Sequence, residues 1–393
     1  MRRCVWVGTE GRRLHLFRNA LESSGSFEGI VVVPFRSLIS GTISLCDLIE
    51  EGDVVRIESP GKDFELERDI LRLGISDADV ERSPVTGYVA AALGEEELNS
   101  LVFDRGLILT QTQWYRGWCR LLDLVESQLK ISAPHTVTNG THEIKILFDK
   151  IRCHEVFGLA GVKMPIWLGP INNFEHLIGI MDQTVCNRVF IKPAHSSSAS
   201  GIVAFERNGK RQIATTTVET VRRQGKTYLY NSRRVRKISD ANEIRELVDR
   251  LSEHNLFAEK WYPKAGINGK TFDLRVVTVA GQCRNVVVRE SLTPFTNLHL
   301  LNGRGQLNAT RTAMGENLWS DVMRSCRKVA SAFPKCLYLG IDVLVGADMR
   351  NHVVAEANAF GDLLPGVLYD GMSTYEWELR ALEAVLNEAK VNA

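Results

Sequence analysis

Tyr338-Leu-Gly-Ile-Asp-Val-Leu-Val-Gly-Ala-Asp-Met-Arg-Asn-His-Val-Val-Ala-Glu-Ala-Asn358 is the stretch on which the reading of this chain turns. Two apolar, β-branched runs flank a polar segment holding Gly346, Asp348 and Asn351, the pattern of a β-hairpin with a longer loop. If the turn centres near Met349, Asp342 falls directly opposite Glu356, and period-two alternation puts Asn358 on the same face. Ile341, Val343, Val345, Val353 and Ala355 then fill the other face. Like charges directly opposite on a sheet repel. Two carboxylates and an amide on one face therefore make sense around a hard divalent cation, the plain alternative being a solvent-facing polar strand.

Working toward the N-terminus, Phe272-Asp-Leu-Arg-Val-Val-Thr-Val279 is an alternating strand carrying Asp273 and Arg275, and Leu256-Phe-Ala-Glu-Lys-Trp-Tyr-Pro263 is a short strand entering a turn. Val189-Phe-Ile-Lys-Pro-Ala-His-Ser-Ser-Ser-Ala-Ser-Gly-Ile202 reads as a buried strand that delivers Lys192 and opens into a loop of small residues. Small side chains let backbone N–H groups approach phosphate oxygens, and a lysine adds a point charge. Serine-rich turns after strands are common, and no Gly-Lys-Ser/Thr follows, so the P-loop pattern is excluded. Phe148-Asp-Lys150 starts a helix that ends in Gly158-Leu-Ala-Gly-Val-Lys-Met-Pro165.

In this order and spacing, the segments near 148–165, 189–202, 256–275 and 338–358 resemble the ATP-grasp superfamily, over roughly residues 145–366. The resemblance implies an α/β fold: an N-terminal Rossmann-like (pre-ATP-grasp) unit over 1–140, a central ATP-grasp subdomain over 141–255 and a C-terminal subdomain over 256–393, with ATP between the last two. It casts Lys150 and Lys192 as the two nucleotide lysines. The stretch from Ala194 to Gly201, with Ser196, Ser197 and Ser198, becomes the loop closing over the phosphates. Glu259, Lys260 and Trp261 become the linker strand that holds adenine, and Asp273 an acid near the ribose. Asp342, Glu356 and Asn358 become ligands of Mg2+, or of Mn2+ in its place. Arg289 and Phe295-Thr-Asn-Leu-His299 are similar to the ligases that add amino acids to ribosomal proteins, which suggests phosphate contacts from Arg289 and Asn297. D-alanine–D-alanine ligases carry an arginine two residues before the first magnesium-binding aspartate; here Gly340 stands there, leaving Arg275 or Arg289 to stabilise the charged intermediate. The implied reaction joins a small-molecule carboxylate to an amine through an acyl phosphate, releasing ADP and phosphate. The superfamily's kinases, which phosphorylate a hydroxyl, and a non-catalytic nucleotide-binding regulator are the alternatives.

The remainder of the chain is consistent with this reading. Its first ~110 residues alternate β-branched runs (Val5–Val7, Ile30–Val33, Val54–Ile57) with amphipathic segments, the rhythm of a parallel α/β unit. Arg56-Ile-Glu-Ser-Pro-Gly61 sits where a ligand-holding βα loop would emerge, although a plain turn at Pro60-Gly61 reads equally well. Residues 114–130 form an amphipathic helix, and Ser132–His142 is the turn-rich boundary after it. Lys+Arg 48 against Asp+Glu 47 argues against a dedicated DNA binder. No apolar run nears the ~20 residues of a spanning helix, and the N-terminus lacks the apolar core of a signal peptide. Eight scattered cysteines point to reduced thiols in a cytoplasm. One local imbalance stands out. Between Arg207 and Lys237 ten cations face the single acid Glu219, with short strands expected at Ala214–Thr217 and Thr227–Tyr230. This insertion is either a solvated hairpin or a lid drawing in an anionic substrate, a polycarboxylate or a phosphate-bearing carrier such as tRNA.

Overall fold

The protein is described as a computed structural model over residues 2–75, 92–197, 199–360 and 364–391. Three sheets organise it. The first is parallel, in the spatial order Phe27–Val33, Arg2–Val7, Val54–Ile57, Thr136–Val137. The helices Arg12–Ser24 and Thr374–Val391 cover one of its faces, and Gln111–Ile131 covers the other.

The second sheet is antiparallel, in the order Trp167–Ile171, Leu256–Lys260, Arg188–Pro193, Val203–Asn208, Arg211–Arg223, Lys226–Ile238. Leu256–Lys260, just past the expected boundary at 255, thus completes the central sheet. Helices Phe174–Gln183 and Ala241–Leu251 pack on it through Leu177, Met181, Ile244 and Leu247. The two basic-insertion strands are far longer than the four-residue runs expected. Arginines and lysines alternating with threonine and tyrosine mask a strand in composition, yet the backbone pairs to the tip, where Gln224 and Gly225 both take positive φ (50° and 75°) as a two-residue hairpin turn requires.

The third sheet runs Gly303–Arg304, Gln282–Ser291, Lys270–Val279, Tyr338–Val345, His352–Asn358, with Gly266–Ile267 paired to Lys270–Val279. Its inner face and the helix Leu307–Ala332 share one continuous core with the first sheet and the helix Gln111–Ile131. Asp342 pairs with Glu356, and Gly340 with Asn358, as the alternation requires. One detail differs from the expectation. A bulge between Asp342 and Val343 sets Val354, not Ala355, opposite Val343, so Val354 enters the core while Ala355 turns to the cleft. An inserted residue reverses the alternation beyond it. Among the described residues all eight cysteines are free thiols, and no helix is long and apolar enough to cross a membrane.

Candidate active site

The central and C-terminal sheets and the N-terminal unit face one cleft of about 1560 Å³. Its walls hold Lys150, Lys192, Ser196, Ser197, Glu259, Arg275, Arg289, Asn297, Glu356 and Asn358. Segments more than two hundred residues apart in sequence therefore converge.

Lys150 opens the helix Lys150–Leu159, whose first turn is capped by Asp149 accepting from the Ile151 and Arg152 amides at 2.9 and 3.2 Å. The Lys150 ammonium donates to the Ser196 carbonyl oxygen, and its own amide donates to the Ala194 carbonyl at 3.1 Å, which ties this helix to the start of the serine loop. Burial lowers the Lys150 pKa, and Lys192 adds to this while Glu356 opposes it. Lys192, on the strand Arg188–Pro193, forms an ion pair with Glu259, their side chains 13% and 8% exposed. In the loop, Ser196 is buried and donates to the Pro193 carbonyl at 3.1 Å, while Ser197 is exposed on the cleft. Ser198 lies outside the described residues. Gly201 does not line the cleft, but it is required where it stands: φ is +75°, and a Cβ would lie 2.6 Å from Pro193 Cγ.

On the linker strand Glu259 faces the cleft, whereas Lys260 and Trp261 do not line it. The Lys260 side chain is exposed, and Trp261 packs on Phe190 and under Arg188, whose guanidinium carbon is 4.2 Å from the ring centroid. Their backbone N–H groups donate to Ile166 and Arg188 carbonyls.

The floor of the cleft is a buried charge network. Asp342 receives Arg275 Nε and Nη2, the latter at 3.1 Å, together with Arg289 Nη2 at 3.0 Å. Arg289 also donates to both oxygens of Asp273, at 2.6 and 2.9 Å, and the Thr296 hydroxyl donates to Asp273 as well. Asp273 and Asp342 lie beneath the wall while both arginines line it. Burial would raise the Asp342 pKa, but Arg275 and Arg289 outweigh it and hold the carboxyl at about 2. Behind them Lys264 donates to the Pro294 carbonyl at 2.7 Å and to Thr296 Oγ1 at 3.1 Å, and burial brings its pKa down to about 8. No motif marked Lys264.

The donor set suits a hard divalent ion brought in with nucleotide phosphates. Among the described residues no group of three His, Cys, Asp or Glu side chains forms a ready metal cage. Magnesium needs none, since one or two carboxylates and the substrate's phosphates usually hold it. Glu356 offers a carboxylate, and Asn358 donates its amide N–H to the Gly340 carbonyl at 3.2 Å, leaving its own carbonyl oxygen as the acceptor. Asp342 keeps further lone pairs beside its two arginines.

In the basic insertion, ion pairs join Arg207 to Asp182, Arg222 to Glu246, Arg223 to Asp104 and Arg236 to Glu243. Arg233 lines the cleft and has no ion pair among the described residues; Arg234 and Arg236 do not line it.

No family model matches the chain, and no curated protein matches it. Solved structures do. The ATP-grasp ligase PsnB complexed with minimal precursor, Mg and ADP is 14% identical at a TM-score of 0.51, with 98% of both chains covered. D-cycloserine synthetase DcsG gives 10% and 0.53 over 98% of this chain and 99% of that one. Macrocyclase MdnC from Microcystis aeruginosa MRC, bound with precursor peptide MdnA, gives 12% and 0.51 over 99% and 100%. The chain therefore has the ATP-grasp fold.

Proposed function

We propose that this protein is an ATP-dependent carboxylate–amine ligase working through an acyl phosphate. The observation that carries this is the convergence of Lys150, Lys192, Glu356 and Asn358 on one cleft, above the Arg275–Asp342–Arg289 network. Lys150 and Lys192 hold the ATP phosphates, with Ser196, Ser197 and Asn297 beside them and Glu259 toward the base. Asp342, Glu356 and Asn358 hold Mg2+, which when bound offsets charge on the transferring phosphoryl group.

In the first step the substrate carboxylate oxygen attacks the γ-phosphorus and the bond to ADP breaks. In the second the amine nitrogen attacks the acyl carbon, phosphate leaves, and the nitrogen loses its proton. Arg275 and Arg289 are aimed at the cleft from a buried, fixed network, so they stabilise developing negative charge without reorganising. Closure of the serine loop keeps water from the acyl phosphate.

The cleft volume exceeds the roughly 300–1,000 Å³ of single small-molecule sites, which leaves room for a second substrate beside the nucleotide. Arg12, Lys62, Arg105 and Arg233 line it with no ion pair among the described residues, so we propose an anionic carboxylate substrate. Phosphate-bearing tRNA has only the hairpin's charge in its favour, and four of those ten cations are already paired.

Incubation with ATP, Mg2+, hydroxylamine and pooled carboxylates tests the chemistry. A hydroxamate formed together with ADP is the expected result. A stable phosphorylated product would replace the ligase with a kinase, and nucleotide binding without turnover of any carboxylate or hydroxyl would point to the regulator.

A further inference from the structure

The helix Phe64–Leu73 follows strand Val54–Ile57 of the first sheet and turns one face to the cleft, through Phe64 and, one turn on, Glu67. Glu67 is the odd acid of that helix. Asp63 caps it, Glu65 pairs with Arg68 at 2.5 Å, and Asp69 pairs with Arg36 and Arg72 at 2.8 and 3.2 Å. Glu67 has no hydrogen bond or ion pair among the described residues, although its side chain is half-buried. Neither of its oxygens is sealed, so the carboxylate is open to the cleft it lines. Phe64, with Phe103 packed edge-on at 5.6 Å, makes the neighbouring wall apolar. Burial raises the Glu67 pKa, which leaves a more basic carboxylate there. Five acids line the cleft among the described residues: Glu67, Asp104, Glu219, Glu259 and Glu356. Glu259 is paired with Lys192, and Asp104 with Arg223 and the Tyr230 hydroxyl. Glu356 serves the metal. Glu219 is exposed on the basic hairpin, where water and flanking arginines screen it. Glu67 alone is both partly desolvated and free.

We infer that Glu67 receives the amine substrate: its carboxylate binds the incoming ammonium group and takes the proton that must leave before nitrogen can attack. Lys150 and Lys192 come from the central subdomain and Glu356 from the third sheet, so the wall of the N-terminal unit is the face left for a second substrate. Arg12 and Lys62 on that wall repel an ammonium, and a carboxylate with no cation of its own is what holds one among them. The protons balance. Glu67 takes one from the ammonium, the free amine attacks the acyl carbon, and the C–O bond to phosphate breaks. The second nitrogen proton leaves with the phosphate, and Glu67 returns the first to water. The inference rests on the ligase reading and names a residue that reading does not use.

Hydroxylamine is largely uncharged at neutral pH, whereas alkyl amines carry a proton there, so the two kinds of nucleophile separate the roles. The full chain is given ATP, Mg2+ and the carboxylate that yields a hydroxamate, and amide formation is followed with methylamine, ethylenediamine and the common amino acids. In Glu67→Gln, kcat/KM for the amines accepted falls about tenfold or more, the loss of one charge-assisted contact, while the hydroxamate rate and ADP affinity stay within about twofold. Glu67→Asp, which keeps the charge, retains more of the amine rate than Glu67→Gln. Equal losses with hydroxylamine and amines, no loss with either, or a wild type that forms the hydroxamate yet accepts none of these amines overturns the inference and leaves the ligase standing. Absence of any hydroxamate overturns both.

Discussion

Two buried arginine networks of this protein are built around opposite centres, one on a guanidinium and the other on a carboxylate. In the core, Arg56 lies between two carboxylates, with Nη1 2.5 Å from Glu378 and Nη2 3.3 Å from Glu58, which Arg13 also reaches at 3.3 Å. Four rings enclose it: Tyr338, Phe17, Tyr375 and Trp6, at 4.5 to 5.5 Å. At the cleft, Asp342 lies between two guanidinium groups, one of which, Arg289, also holds Asp273. The acids respond in opposite directions. Burial raises the Glu378 pKa and Arg56 does not fully offset it, whereas the two arginines hold Asp342 at about 2. Burial of charge by itself marks no site. Arg56 lies sealed beneath aromatic rings and does not line the cleft, while Arg275 and Arg289 line its wall. Guanidinium groups at an opening, with their carboxylates beneath the wall, are what an incoming anion meets.

The largest expected effect belongs to the sealed network. Arg56→Ala strands the buried Glu378 and leaves Glu58 with Arg13 alone, and removing one partner of a buried pair costs about 3–5 kcal/mol. Urea denaturation should show that loss, with ADP affinity in the folded protein unchanged; a loss below about 1 kcal/mol would mean that water already reaches the pair. Across the comparison, Glu356→Gln should do the reverse. It removes one charge-assisted contact of about 1.5–3 kcal/mol, so turnover falls roughly ten- to a hundredfold while stability holds. Turnover within about threefold of wild type at saturating magnesium would sink the metal assignment. Asp342→Asn is the less clean probe, because it also leaves Arg275 and Arg289 facing each other.

What could be read from sequence follows the range of the interaction. Asp342, Glu356 and Asn358 are legible because a hairpin is local and its period is two. The bulge that turns Ala355 outward leaves no mark in composition, so the core face was misread by one residue there. The Arg275–Asp342 pair needs the order of strands in the sheet, and Glu378 reaches Arg56 across 322 positions, a contact no pattern announces. Lys192 stood out from its strand-to-loop context and Lys150 only through the family resemblance, and both line the cleft.

Acid should separate the two networks next. Asp342 has a lowered pKa in the folded protein, so its contribution is complete above about 3.8 and is lost as pH falls through about 2, because the unfolded chain takes the proton first. The window is worth roughly 2 kcal/mol. Glu378 has the opposite sign: its raised pKa favours folding below the unfolded value of 4.5, and that contribution is lost as pH rises. Arg275→Met removes one of the two groups holding Asp342 down, so urea midpoints measured between about pH 4 and 2 should fall less steeply than in the wild type. An unchanged slope would leave Arg289 as the sole cause.

The smallest effect asks to which kind of network the Lys192–Glu259 pair belongs. It is nearly as buried as the others, yet it sits on the cleft wall. If it is structural, as at Arg56, Lys192→Met costs stability and nothing else. If it is a ligand site, the lysine is held by Glu259 until phosphate displaces it, and the variant loses about tenfold in ADP affinity as well. Stability alone cannot distinguish these, since either way Glu259 is left unpaired. The double variant Lys192→Met/Glu259→Gln does so. Removing both charges restores the stability that the single variant lost, because no buried ion remains alone. It cannot restore affinity, because a phosphate still finds no cation there and the base edge has lost its carboxylate. Recovery of stability without recovery of ADP binding is the expected result. Affinity returning together with stability, or never lost, would place Lys192 with Arg56 as part of the scaffold.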